Sequence, residues 1–200
     1  MTTATQPGKR ASTRDLILDH AYALARKDGL EGLSIGTLAA AANMSKSGVF
    51  AHFGSREDLQ LAVLDAGGER FAAKVLQPAL KHPRGLPRLR AIVAHWTEWG
   101  REYQSGCVLL SAASEYDGRN GALHDKVVSQ QAAWRGGLQK AIAQAVTEGH
   151  LRSDTDTAQL AFEIYALMLG LHHDAGLFGF DEAGQRAAQA FERLWRSWQA

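Results

Sequence analysis

Apolar residues recur at spacings of three and four along most of the chain, and no stretch of useful length alternates apolar with polar positions. Ile17, Ala21, Leu24 and Ala25 mark one helical face, opened by a capping box of Ser12 with Asp15 and stopped by Gly29. Ser55 with Asp58 opens a longer helix through Leu59, Val63, Phe71, Val75 and Leu76 toward Pro78. Gly67 and Gly68 weaken it by roughly 1 kcal/mol each, which predicts a bend there. The stretch KHPRGLP, residues 81 to 87, is the clearest boundary. Beyond it Leu89, Ile92, Trp96, Trp99 and Tyr103 align, then Trp134, Leu138, Ile142 and Val146, with a short helix after Cys107 between them. Asp154 or Asp156 can cap the next helix, and a last one follows Asp181. The pattern predicts an all-α fold of about nine helices, without internal repeats.

Residues 34 to 59, SIGTLAAAANMSKSGVFAHFGSREDL, carry the sharpest signal. Ser34 can cap a helix whose inward positions are Ile35, Leu38, Ala39 and Ala42. Asn43 falls where the chain must turn, and Asn tolerates the left-handed conformation that such a turn needs. Ser45 then caps a second short helix, Lys46 to Phe53, anchored by Val49 and Phe53. Its outward surface offers Lys46, Ser47, Gly48, Phe50 and His52. This is a helix-turn-helix whose second helix is small, cationic and hydrogen-bonding, as a DNA major groove requires. Lys46 and Ser47, at the end that enters the groove, are the candidates for base edges. Gly48 would permit close backbone approach, and His52 could donate to a phosphate. Phe50 could touch a sugar or a thymine methyl, or else cap the small core.

An N-terminal helix from about Ser12 followed by LAxxxNMSKSGVFxHFxSREDL resembles the TetR family of bacterial transcriptional regulators, over roughly residues 10 to 65. The family usually has Tyr where this chain has Phe50, so a phosphate-contacting phenol is missing. The resemblance implies an N-terminal DNA-binding domain, residues 12–56, after a flexible basic arm, 1–11. An effector-binding and dimerisation domain would occupy 57–200. It also implies DNA contact by Thr37 and Arg56. Ser34 and Ser45, at the two helix starts, and Arg14, beside the arm, complete the expected DNA set.

Composition narrows the class without deciding it. Two hundred residues, 46% of them hydrophobic, suffice for a sizeable core in one or two domains. The lone Cys107 excludes an intramolecular disulfide framework and fits a reducing, cytoplasmic setting. No apolar run reaches the ~18 residues of a membrane span, and no secretory h-region is visible. The net charge is only +1, so the DNA signal is local: Lys9, Arg10 and Arg14 precede any acid.

The candidate chemistry is that of binding. Trp96, Trp99, Tyr103, Tyr116, Trp134, Met168 and Phe178 could line an apolar effector pocket, with Cys107, Glu115, His172 and His173 as polar members, though aromatics at helical spacing are more often core. No cofactor is implied. His172-His173-Asp174 lacks ligand spacing for a metal, and no nucleophile, P-loop or dinucleotide signature supports an enzyme. Leu160, Ile164, Leu167 and Leu171 on one helix, with Phe191, Leu194, Trp195 and Trp198 on the last, form broad apolar faces suited to a four-helix homodimer interface. The expected function is a repressor released from a palindromic operator by a small molecule. The alternatives are an activator or effector-independent regulator of the same fold, or a helical ligand-binding or catalytic protein.

Overall fold

The computed structural model describes residues 12–103 and 106–200; the basic arm expected over residues 1–11 lies outside them. Among the described residues there are nine helices of seven residues or more. They are α1 (Thr13–Gly32), α2 (Ile35–Ala41), α3 (Lys46–Phe53), α4 (Arg56–Phe71), α5 (Leu86–Glu102), α6 (Val108–Tyr116), α7 (Ala122–Thr147), α8 (Thr157–Phe178) and α9 (Phe180–Trp198). The sole β-type pairing among them is an isolated bridge between Leu151 and Gln199.

The caps read from the sequence set these boundaries. Ser12 and Asp15 form a reciprocal capping box on α1, and Ser34 with Thr37 forms another on α2. Ser45, Ser55 and Asp156 each accept backbone N–H groups at the starts of α3, α4 and α8. Asn43 adopts φ 52°, the left-handed turn between α2 and α3. Inside this N-terminal unit Ile17, Ala21, Leu38, Val49, Phe53, Leu59 and Val63 are buried together. Fully burying a side chain of this size stabilises by ~1.5–3 kcal/mol, so three short helices hold only because they share one core.

The bend expected at Gly67 and Gly68 is not there. Both glycines lie inside regular α4, where neighbours crowd the helix. A Cβ on Gly67 would sit 3.2 Å from Leu109 Cδ2, and one on Gly68 would sit 3.3 Å from Gln130 Nε2. They are spacers for close packing. The irregularity comes one turn later, where Ala72–Leu76 forms a π-helical turn before a last short turn, Gln77–Ala79.

Helices α5 to α9 build the larger C-terminal core, with α8 and α9 as neighbours in a long antiparallel pair. The side chains expected at a dimer interface face this core instead. Leu160, Ile164, Leu171, Phe191 and Trp195 are buried, while Leu167, Leu194 and Trp198 are half-buried against it. They close the protomer onto α5 and α7. The outward face of α8 is apolar too: Phe162 (57% exposed), Leu169 (40%) and Leu177 (63%) share one strip with Ala166 and His173.

Candidate nucleic-acid interface and ligand cavity

The tight turn at Asn43 and the buried anchors Val49 and Phe53 fix α3 so that its opposite face is open. Lys46, Ser47, Phe50 and His52 are exposed on that face, Phe50 at 54%. The Lys46 stem crosses α2 at Gly36, where an added Cβ would be 3.4 Å from Lys46 Cε. Its ammonium has no acidic partner among the described residues. Arg14 lies at the other end of α3, its guanidinium 5.0 Å from the Phe53 ring centroid.

Several members of the expected DNA set also hold the scaffold. The Ser34 hydroxyl accepts Thr37 N–H, and the Thr37 hydroxyl donates to the Ser34 carbonyl at 3.0 Å. Ser45 Oγ accepts Gly48 N–H and pairs with Ser47 Oγ at 3.1 Å. A Cβ on Gly48 would press within 3.2 Å of that Ser45 oxygen and 3.3 Å of Met44 Cε, so this glycine protects the cap. Arg56 departs furthest from expectation. Its guanidinium donates to the Leu33 carbonyl at 2.9 Å and to the backbone and carboxylate of Glu31. It is folded back as a staple between α1, α2 and α4, and its donors are not spread toward a phosphate.

That staple continues into the C-terminal half. The Glu115 carboxylate at the end of α6 accepts the backbone N–H of Leu30 at 3.1 Å and of Glu31 at 2.8 Å. Glu31 in turn accepts the Tyr116 hydroxyl at 2.6 Å and Arg119 at 2.8 Å. The Tyr116 hydrogen bond is the main cause that holds the Glu31 carboxyl below its usual range, with Arg56 and Arg119 adding to it. Burial and Glu31 together push the Tyr116 phenol up. Gly29, at φ 74°, lets α1 break here; a Cβ would fall 2.7 Å from Glu115 Oε1.

The other end of α6 borders a cavity of about 460 Å³, lined by the α4 end and its π-helical turn, α5, α7 and Tyr165 of α8. Phe71 is the hub of its aromatic wall. Trp96, Trp99 and Trp134 all meet it edge-on at centroid distances of 5.9, 5.4 and 4.8 Å. The indole N–H groups of Trp99 and Trp134 are buried with no partner among the described residues. Such a donor costs ~1–3 kcal/mol if left unsatisfied.

With the geometry in place, comparison with known proteins is decisive. The model of the tetR family of bacterial regulatory proteins matches residues 17–63, and that of the tetracyclin repressor-like C-terminal domain matches residues 85–191. This chain belongs to the TetR family. It is a transcriptional regulator with a helix-turn-helix DNA-binding unit. The HTH-type transcriptional repressor ComR of Escherichia coli K12 is 25% identical to this TetR-family chain over 187 residues, 91% of this chain and 88% of ComR. SCO4454, a TetR-family regulator from Streptomyces coelicolor, superposes with a TM-score of 0.82 at 21% identity, over 94% of this chain and 96% of its own. AibR in complex with isovaleryl coenzyme A and operator DNA superposes at 0.71 and 23% identity, over 89% of this chain and 97% of its own.

In this TetR-family chain the cavity gathers only part of the expected pocket. Trp96, Trp99, Trp134 and Cys107 line it. Tyr103 does not: it stacks behind Trp99 at 3.9 Å, with the Arg26 guanidinium 4.2 Å from its ring. Tyr116 and Glu115 are drawn away to the α1 junction. Met168 faces α5 beside Thr97, and half-buried His172, whose imidazole is made less basic by burial, lies elsewhere on α8. His173 and Phe178, exposed at the surface, do not line it. The cavity instead recruits Gln130, Gln131, Lys140 and Tyr165. Only the i, i+4 and i, i+14 placement of Gln130, Trp134 and Gln144 on one face of α7 could have hinted at a polar side to the cavity; Tyr165 comes from α8. No three His, Cys, Asp or Glu side chains converge to hold a metal among the described residues. None of the described helices is long and apolar enough to cross a membrane.

Proposed function

We propose that this chain is a homodimeric repressor whose hold on a palindromic operator is released when a small molecule fills the Trp96–Trp134 cavity. The observation that carries this reading is the path of α6. It begins with Cys107, Leu109 and Leu110 at the cavity wall and ends with Glu115 and Tyr116 gripping Leu30 and Glu31. An occupant that prefers a shifted α6 therefore also prefers a shifted DNA-binding unit, which is the condition for reciprocal coupling. Repression is supported by the likeness to ComR, and a cavity that answers to a ligand by the AibR fold, which holds both isovaleryl coenzyme A and operator DNA.

In the complex, Lys46 and Ser47 read base edges, with Phe50 against sugar or a thymine methyl and His52 and Arg14 toward the backbone. Ser34, Thr37 and Ser45 place their hydroxyls and helix starts near phosphates. Two protomers join through the outward strip of α8, Phe162, Ala166, Leu169, His173 and Leu177, an apolar surface that pairing with its symmetric copy would cover. The recognition helices then address half-sites about 34–36 Å apart. Selection from random duplexes with the purified protein is the test. An enriched inverted repeat is expected; recovery of unrelated sequences would overturn the reading.

A further inference from the structure

The charged groups of the cavity are one-sided, and the indole N–H groups of Trp99 and Trp134 are buried within its aromatic wall. At the wall, the Tyr165 hydroxyl donates to Gln131 Oε1 at 2.8 Å, which leaves the Gln131 amide N–H₂ as a donor. Gln130 is already committed, its amide donating to the Leu64 carbonyl of α4 at 3.0 Å. Lys140 is exposed and therefore sits at the mouth, with no ion pair among the described residues. Arg88 adds a second positive charge, although part of its guanidinium is occupied by the carbonyls of Leu80 and His82. Among the described residues no Asp or Glu lines the cavity.

Cations without acids beside an aromatic body wall define one class of guest. We infer that the cavity takes an organic carboxylate with an apolar body of about 10–20 non-hydrogen atoms, a size suited to a cavity of this volume. The body packs against Phe71 and the indole rings, and the carboxylate faces the positive charges of Lys140 and Arg88. This rests on reading the cavity as the effector site, and it adds the sign of the effector's charge.

The test uses the full chain and tryptophan-fluorescence titration with two matched pairs: decanoate against decylammonium, and phenylbutyrate against phenylbutylammonium. Each carboxylate is expected to bind about tenfold or more tightly than its ammonium partner, because like charge at the mouth works against the cation. Lys140→Glu, on an exposed side chain, should weaken both carboxylates by about fivefold and leave the ammonium ions no weaker. Arg88→Gln, which removes the second positive charge of the lining, should also weaken the carboxylates. Equal or tighter binding of the ammonium ions, indifference to Lys140→Glu, or no binding of either carboxylate would each overturn the inference. Operator selection on ligand-free protein is scored separately, so failure of the regulator reading and failure of the charge preference remain distinguishable.

Discussion

Glu115 and Glu31 hold each other's helices: the Glu115 carboxylate accepts the Glu31 backbone N–H at 2.8 Å, while the Glu31 carboxylate accepts the hydroxyl of Tyr116, the next residue along α6. Glu115→Ala should leave two backbone donors at the broken end of α1 without their acceptor, a loss of ~1–3 kcal/mol. The melting temperature should fall by several degrees. More tellingly, the coupling between cavity and operator should shrink toward none from an ordinary range of about 5–150-fold. The check is to titrate phenylbutyrate with and without saturating operator. Undiminished coupling in the variant would show that α6 does not carry it.

Glu31 makes the same junction sensitive to acid. Its carboxyl is held below the ordinary value of 4.5, so the folded state favours the ionised form. A depressed carboxyl contributes stability that is present above its unfolded value and is lost as pH falls through the folded one. Melting temperature should therefore decline as pH drops below the usual glutamate range, and Glu31→Gln should flatten that decline. At neutral pH the variant should already be less stable than wild type, by less than a buried ion pair would suggest, since the group is well exposed to solvent.

Arg56 separates a staple from a phosphate contact. As a staple to Leu33 and Glu31, its replacement by Ala should cost about 1–2 kcal/mol of stability. Binding to every duplex should weaken, because α4, which follows α3, loses its brace to the end of α1, but the slope of log affinity against log salt should stay the same. A slope reduced by about one would return Arg56 to the phosphate backbone.

The proposed dimer strip yields a contrast between two faces of one helix. Phe162→Arg or Leu169→Arg changes exposed side chains and should give a folded monomer in ultracentrifugation at micromolar concentration. Ile164→Ala, on the buried face, should instead destabilise by about 2–5 kcal/mol through a core cavity. Retention of the dimer in both arginine variants would place the interface elsewhere.

The same contrast explains what the sequence made legible. Caps are local, so Ser12, Ser34, Ser45, Ser55 and Asn43 announced the first four helices and their turn. Helical spacing found the apolar faces of α8 and α9, but spacing alone does not say what covers a face. With Leu160 and Ile164 inward and Phe162 and Leu169 outward, both sides qualified. Trp96, Trp99, Trp134 and Cys107 were recoverable as an aromatic pocket, whereas Gln130 and Gln131 look like any solvated helix surface until Leu64 of α4 and Tyr165 of α8 meet them, and Lys140 stays exposed. Arg56 and Tyr116 find partners 25 and 85 residues away, contacts that only the tertiary fold creates.

The most direct measurement is a fluorescence-anisotropy titration of the selected operator and of a scrambled duplex, with wild type and with Lys46→Ala. Lys46 is exposed at the start of α3 and unpaired among the described residues. Removing its groove-facing donor should cost ~1–3 kcal/mol on the operator and much less on the scrambled duplex, so that discrimination falls. Operator affinity and discrimination both unchanged in Lys46→Ala would contradict the assignment of α3 as the helix that reads DNA.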